Sequence, residues 1–100
     1  MTVSNHIIIQ QEPLASMCRK YHIRRLSVFG SALRGDFGPA SDIDLLVEFE
    51  PEHIPGLAFF RIEEEMSVLF GKKIDLNTAE FLSRYFRDEV LHQAETIYEA

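Results

Sequence analysis

The sequence has few of the features that mark secreted, membrane-spanning or nucleic-acid-binding proteins. A single cysteine, Cys18, cannot form a disulfide within the chain, so we expect a reducing, cytoplasmic environment. The longest early apolar run, 7–9, is too short for a membrane span or the apolar part of a signal peptide. Lys and Arg number ten against sixteen acidic residues, and a net charge of −6 argues against direct nucleic-acid binding. With no repeat, linker or low-complexity tract, we expect one domain over residues 1–100.

Apolar residues are abundant enough to build a core, and their spacing predicts both helices and strands. They make up 46% of the chain. Spacings of three and four residues indicate helices, and alternation indicates strands. The predicted helices cover 13–22, 59–70 and 82–94, with Thr78 as a possible cap for the last, and the predicted strands cover 25–29, 42–49 and 73–77, with 96–98 as a short strand or an ordered end. We therefore predict an α/β or α+β fold in which helices pack on a small mixed sheet.

Two closely spaced acids follow a small-residue turn, and this pattern points to chemistry. Gly30 and Ser31 end one predicted strand, and ten residues later Asp42 and Asp44 open the next. Residues two apart on a strand project from the same face, about 7 Å apart at their Cα atoms. Two such carboxylates repel each other and are costly to half-bury unless a cation lies between them. Mg²⁺ suits the position because it takes carboxylate and phosphate oxygens as ligands.

A third acid, Asp75, lies on the predicted strand 73–77 and is the candidate to complete a metal-binding cage. Two metal ions can serve an in-line displacement by activating the attacking hydroxyl and steadying the leaving group. Asp75 is also a candidate acceptor for the hydroxyl proton. Gly30 lets the backbone approach a phosphate closely, and Ser31 offers a hydroxyl and a backbone N–H. The pattern therefore predicts a site for a nucleoside triphosphate and its metal ions.

The spaced motif Gly30-Ser31-x₁₀-Asp42-x-Asp44 resembles the signature of the DNA-polymerase-β-like nucleotidyltransferase superfamily. Nearly the whole chain is similar to its smallest branch, the minimal nucleotidyltransferase (MNT) antitoxins, which are usually encoded beside HEPN-domain RNase toxins. The resemblance rests on the leading helix and on the segments 29–35, 41–49 and 71–76.

The resemblance implies a single minimal nucleotidyltransferase domain with the polymerase-β-like fold. It implies that Asp42, Asp44 and Asp75 bind two Mg²⁺ ions and act in catalysis, and that Gly30 and Ser31 bind the phosphates of ATP. It further implies an enzyme that transfers AMP from ATP to a tyrosine hydroxyl of a cognate HEPN RNase toxin and so inactivates it. Many relatives carry Arg before the Ser-Asp pair, where this chain has Ala40. Arg34 is our candidate for the missing phosphate contact.

Each of these residues also has a purely structural interpretation. Ser41-Asp42 is often only a turn or a helix cap, a lone strand acid such as Asp75 is commonly a surface residue, and Ser31 can be a helix N-cap. The acids 63–65 are predicted to form a solvated helix face, and the Lys pair 72–73 a solvated helix end. The four histidines have no metal-ligand spacing, so we assign none of them as a ligand: His6, His22, His53 and His92.

Two further functions stay open at this stage. One is a non-catalytic antitoxin that neutralises its toxin by binding and occlusion. The other is nucleotidyl transfer to a small molecule or to a different protein. The chain can act as a homodimer or in a hetero-oligomer with the toxin. No membrane partner is expected.

Overall fold

The fold is known from a computed structural model, which describes residues 2–4, 7–30, 42–82 and 84–100. The chain contains six strands and three α-helices in these ranges. The strands are β1 Thr2–Ser4, β2 Ile7–Ile8, β3 Ile23–Phe29, β4 Ile43–Phe49, β5 Ile74–Asn77 and β6 Glu95–Glu99, and the helices are α1 Gln11–Lys20, α2 Ala58–Phe70 and α3 Arg87–Gln93, with a 3₁₀ turn at Ala79–Phe81.

Four of the strands form one mixed sheet in the order β5-β4-β3-β6. The strand β3 is antiparallel to both β4 and β6, whereas β4 and β5 are parallel. The parallel pair requires a crossover, and α2 provides it. The predicted mixed sheet with packed helices is confirmed, and β1 and β2 add a separate two-stranded hairpin that the sequence did not reveal.

The hydrophobic core lies on one face of the four-stranded sheet, against α1 and α2. The inward face predicted for β4 is observed, since Ile43, Leu45 and Val47 are at most 1% exposed, although Leu46 on the opposite face is buried too, at 4%. From the helices, Cys18 and Met66 join the same cluster and are fully buried. Burying each large apolar side chain contributes about 1.5–3 kcal/mol. This packing fixes which face of β4 remains available for polar chemistry.

Two predicted helix boundaries agree with the structure to within a few residues. Gly71 ends α2 in the left-handed conformation at φ 70°, as its position predicted. The first helix carries Pro13 in its opening turn and ends at Lys20, followed by His22 at φ 58°. No helix in the described ranges has the length and apolarity that a membrane crossing requires.

The predicted helix over 82–94 is wrong in its first half. Leu82 adopts extended backbone angles, φ −79° and ψ 142°, and α3 begins only at Arg87. Phe86, which the predicted apolar stripe placed inside, is 61% exposed, and none of the seven residues of α3 is buried. Thr78 precedes the 3₁₀ turn without a side-chain capping hydrogen bond. Without a face to bury, the periodic pattern does not sustain a longer helix.

Candidate active site

The sheet brings two of the predicted acids side by side. In the parallel pairing of β4 with β5, Asp44 lies directly opposite Asp75. Neighbouring strands are about 4.8 Å apart, so these two residues are direct lateral neighbours. Asp42 lies just before β4, two residues from Asp44 and on the same side of the chain. The three acids predicted as metal ligands therefore converge at one end of the β4–β5 pair.

The strand β5 is held at the sheet edge by side chains of α2. The backbone N–H of Leu76 donates to Glu63 Oε2 at 2.8 Å, and that of Ile74 donates to Ser67 Oγ at 3.1 Å. Ser67 Oγ in turn donates to the carbonyl oxygen of Glu63 at 2.9 Å. The two anchored residues flank Asp75 and are buried, whereas Asp75 is exposed. Anchoring both neighbours fixes the direction in which the Asp75 side chain projects.

Gly30 leaves the space that the carboxylate of Asp44 occupies. It follows Phe29, which pairs with Asp44 across β3 and β4, and has φ 73°. A Cβ atom at Gly30 would collide with Asp44 Oδ2. The sequence predicted Gly30 as a close-approach point for phosphate. The structure adds a second requirement for glycine, namely room for the neighbouring acid.

Among the residues that the structure describes at this end of the sheet, the three aspartates outnumber the nearby cation Lys73. The ammonium group of Lys73 lies 3.9 Å from Asp42 Oδ2, but both side chains are largely exposed and the pair is weak. The oxygen atoms of the three described aspartates do not all lie within 4.8 Å of one another. The three carboxylates nevertheless offer only oxygen donors, the kind that hard divalent cations such as Mg²⁺ prefer, and such cations bring the counter-charge. The donor set thus suits Mg²⁺ with phosphate oxygens as further ligands.

Two residues predicted to bind phosphate, Ser31 and Arg34, lie outside the described residues. Their roles remain predictions. Sequence reasoning missed Glu63 and Ser67, since the acids 63–65 were predicted to be a solvated helix face. That prediction is wrong for Glu63, which is half-buried and accepts the β5 hydrogen bond. No sequence signal separates it from its exposed neighbour Glu64.

Beyond the acids, the same face of the sheet continues as a groove. Leu46 and Glu48, which alternate with the core residues of β4, line it together with Thr78 and Leu91. Glu48 is paired with Arg24 and Arg25 across the strands, at 3.3 Å and 3.4 Å. The groove thus combines apolar and charged groups, and none of the three aspartates lines it.

Comparison with known proteins agrees with this fold. Residues 12–98 match the family model described as a nucleotidyltransferase domain, and the chain belongs to this family. Its fold is that of the minimal, polymerase-β-like nucleotidyltransferases. The chain is 33% identical to a solved structure described as a minimal nucleotidyltransferase, with a TM-score of 0.69 over 84% of this chain and 85% of the other.

Curated relatives carry adenylyltransferase names. The protein adenylyltransferase MntA of Thermococcus cleftensis is 41% identical over 58 residues, which are 57% of this chain and 57% of the relative. A protein of Methanocaldococcus jannaschii, assigned by name as a protein adenylyltransferase, is 35% identical over 75% of this chain and 80% of its own length. The chain thus spans little more than half of the first relative.

A second structural neighbour shares the fold at lower identity. It is a toxin–antitoxin crystal structure with AMP-PNP, 17% identical, with a TM-score of 0.72 over 92% of this chain and 75% of the other. At this identity the likeness establishes the common fold alone.

Proposed function

We propose that this protein is a Mg²⁺-dependent adenylyltransferase antitoxin, which transfers AMP from ATP to a tyrosine hydroxyl of a partner toxin of the HEPN RNase class. The observation that carries the proposal is the lateral pairing of Asp44 with Asp75, with Asp42 two residues away. The names of the relatives, protein adenylyltransferase and toxin–antitoxin, support the choice of nucleotide and partner.

In the proposed reaction, the acceptor oxygen attacks the α-phosphorus of ATP, and the bond to the β-phosphate oxygen breaks. Pyrophosphate leaves, and the proton of the hydroxyl passes to a carboxylate. Bound Mg²⁺ supplies charge neutralisation on the triphosphate and lowers the pKa of the attacking hydroxyl. Asp42, Asp44 and Asp75 would hold it, because they are the convergent oxygen donors at this end of the sheet.

The acids have different further tasks in this proposal. Asp75 is exposed on the edge strand, so it is the one best placed to meet an acceptor from another protein and take its proton. Asp44 is half-buried between Phe29 and Asp75, and Gly30 gives it room, so it serves as the fixed ligand. The residues Ser31 and Arg34 are proposed to contact the phosphates.

The acceptor is proposed to approach along the groove beside the acids. An aromatic side chain fits a surface that combines the exposed apolar side chains of Ile54 and Leu91 with the polar Thr78. Asp75 is exposed on the edge strand β5, within reach of a second molecule, so we infer that the partner supplies the acceptor residue.

The test is to co-express the chain with the protein encoded beside its gene and to weigh that protein after incubation with ATP and Mg²⁺. We expect an increase by one or more AMP units, on tyrosine by fragment mass analysis. The Asp42→Asn/Asp44→Asn variant should still bind the partner but add no AMP. An unmodified partner with the wild-type chain, or unchanged labelling with the variant, would refute transfer. Growth rescue by the double variant would instead support neutralisation by occlusion.

A further inference from the structure

Two turns bring His22, Glu50 and His53 together at the end of the sheet remote from the aspartates. One potential ligand atom from each residue lies within 4.8 Å of the other two. His22 Nδ1 is 3.6 Å from Glu50 Oε2. The rings of His22 and His53 are stacked with centroids 3.8 Å apart and an interplanar angle of 17°. The chain separates these residues by up to 31 positions, which is why their spacing predicted no ligand set.

Main-chain hydrogen bonds hold the backbone of the three cluster residues in place. The N–H of Glu50 donates to the carbonyl oxygen of His22 at 2.9 Å, and the N–H of His53 donates to that of Glu50 at 3.1 Å. Directly beside the cluster, Ile23 pairs with Phe49 in the β3–β4 ladder. The three Cα atoms are therefore held in place by main-chain hydrogen bonds, and only side-chain torsions remain to be set.

We propose that His22, Glu50 and His53 form a second metal site, selective for Zn²⁺ or a similar borderline transition-metal ion. Two imidazoles and one carboxylate are a common protein ligand set for Zn²⁺, with water in the fourth position. His22 and His53 are exposed, and the Glu50 side chain is 43% exposed, so their rotation toward a shared ion meets little steric resistance. Their exposure also gives the ion a direct entry path and a water ligand.

This site differs from the aspartate site in both place and chemistry. Asp44 and Phe49 lie near opposite ends of β4, about 17 Å apart along an extended strand. The aspartate site offers oxygen donors, which suit Mg²⁺, whereas the histidine site offers two nitrogen donors, which Mg²⁺ disfavours. A bound ion would link the turn after α1 to the loop that enters α2, and so stabilise the folded chain without taking part in transfer.

The test is a Zn²⁺ titration of the whole chain by calorimetry in millimolar Mg²⁺, which competes for the aspartate site. We expect one Zn²⁺ per chain and, at a hundred times its Kd, a rise in Tm of about 10 °C. His53→Gln and His22→Asn should each weaken binding at least about tenfold, since even outer-shell changes have effects of this size. Asn tolerates the left-handed backbone of His22, so this variant should fold.

Two control variants separate this site from other metal binding. His92→Gln removes an exposed histidine of α3 that is outside the cluster, and Asp42→Asn/Asp44→Asn removes the other metal site. Both should retain Zn²⁺ binding in full. Glu50→Gln provides a third cluster variant and should weaken binding. The proposal is overturned if Zn²⁺ fails to bind below about 1 mM, if the cluster variants bind like the wild type, or if only the aspartate variant loses binding.

Discussion

Replacing Gly30 by alanine tests the link between the backbone and the candidate active site. Gly30 has φ 73°, and an L-residue in this region costs about 1–2 kcal/mol. Gly71 offers a matched control, because its φ is 70° and nothing lies within 4 Å of a Cβ built there. Both alanine variants should therefore lower Tm by a similar backbone contribution, about 5–15 °C for a domain of this size.

The two variants should differ in activity because only Gly30→Ala places a methyl group against the carboxylate of Asp44. The carboxylate must move by roughly 1 Å, and a displacement of this size can reduce a reaction rate about 100-fold. We expect Gly30→Ala to lose AMP transfer by about this factor, measured well below its Tm by intact mass of the partner protein. Gly71→Ala should retain nearly wild-type transfer.

Comparing Gly30→Ala with Gly71→Ala also separates the loss of AMP transfer caused by the contact with Asp44 from the loss caused by backbone strain. Calorimetry or circular dichroism gives the two Tm values, and single-turnover transfer gives the two rates. If Gly30→Ala and Gly71→Ala both transfer AMP at the wild-type rate, the contact between Gly30 and Asp44 has no role in the reaction. Equal loss in both would assign the effect to stability alone.

Three further predictions follow from described contacts. Ser67→Ala should lower the free energy of unfolding by about 1–3 kcal/mol, measured by urea denaturation, because a β5 N–H loses its acceptor, while Glu64→Ala, at an exposed position of the same helix, should have little effect. The hydrogen bond from Tyr21 lowers the pKa of the Glu65 carboxyl below its usual value of 4.5. The small stabilising contribution of this hydrogen bond is therefore present above pH 4.5 and is lost as the pH falls through the lowered pKa. The difference in free energy of unfolding between the wild type and Tyr21→Phe should shrink over the same pH range, and a constant difference from about pH 7 to about pH 3 would contradict this. Burial raises the pKa of the Cys18 thiol to about 12, so at pH 8 a thiol reagent should modify the native chain at least about a thousandfold more slowly than the denatured chain, and equal rates would refute its burial.

Local patterns predicted the elements that bear the site, because those elements follow short-range rules. The period-two spacing of Ile43, Leu45 and Val47 identified β4 and placed Asp44 and Glu48 on its other face. Gly71 marked the end of α2 through its left-handed conformation. These features depend on neighbouring residues only, so the sequence contains them in full.

The pairing of Asp44 with Asp75 was not available from local patterns. The strands β4 and β5 are separated by the whole of α2, and their parallel register depends on how that helix packs. The resemblance to a known family suggested the grouping of the acids, while the register came from the structure. The hydrogen bond from Leu76 to Glu63 likewise forms only once β5 lies beside α2.

The helix over 82–94 shows how periodicity can mislead. Val90 and the residues before it repeat at helical spacing, yet Phe86 faces solvent and the helix starts at Arg87. A repeat of apolar residues predicts a helix reliably only where another element covers it. The cluster of His22, Glu50 and His53 shows the reverse. Contacts between turns that are distant in sequence bring these residues together, and spacing along the chain does not predict the cluster.

The central claim is that Asp42, Asp44 and Asp75 together hold the metal ions that accompany ATP. A crystal structure with Mn²⁺ and a non-hydrolysable ATP analogue tests it most directly, since anomalous scattering locates the ions. We predict metal peaks at about 2.0–2.3 Å from carboxylate oxygens of all three aspartates, with the triphosphate beside Gly30. Metal peaks that contact none of these carboxylates, or only one of them, would contradict the account.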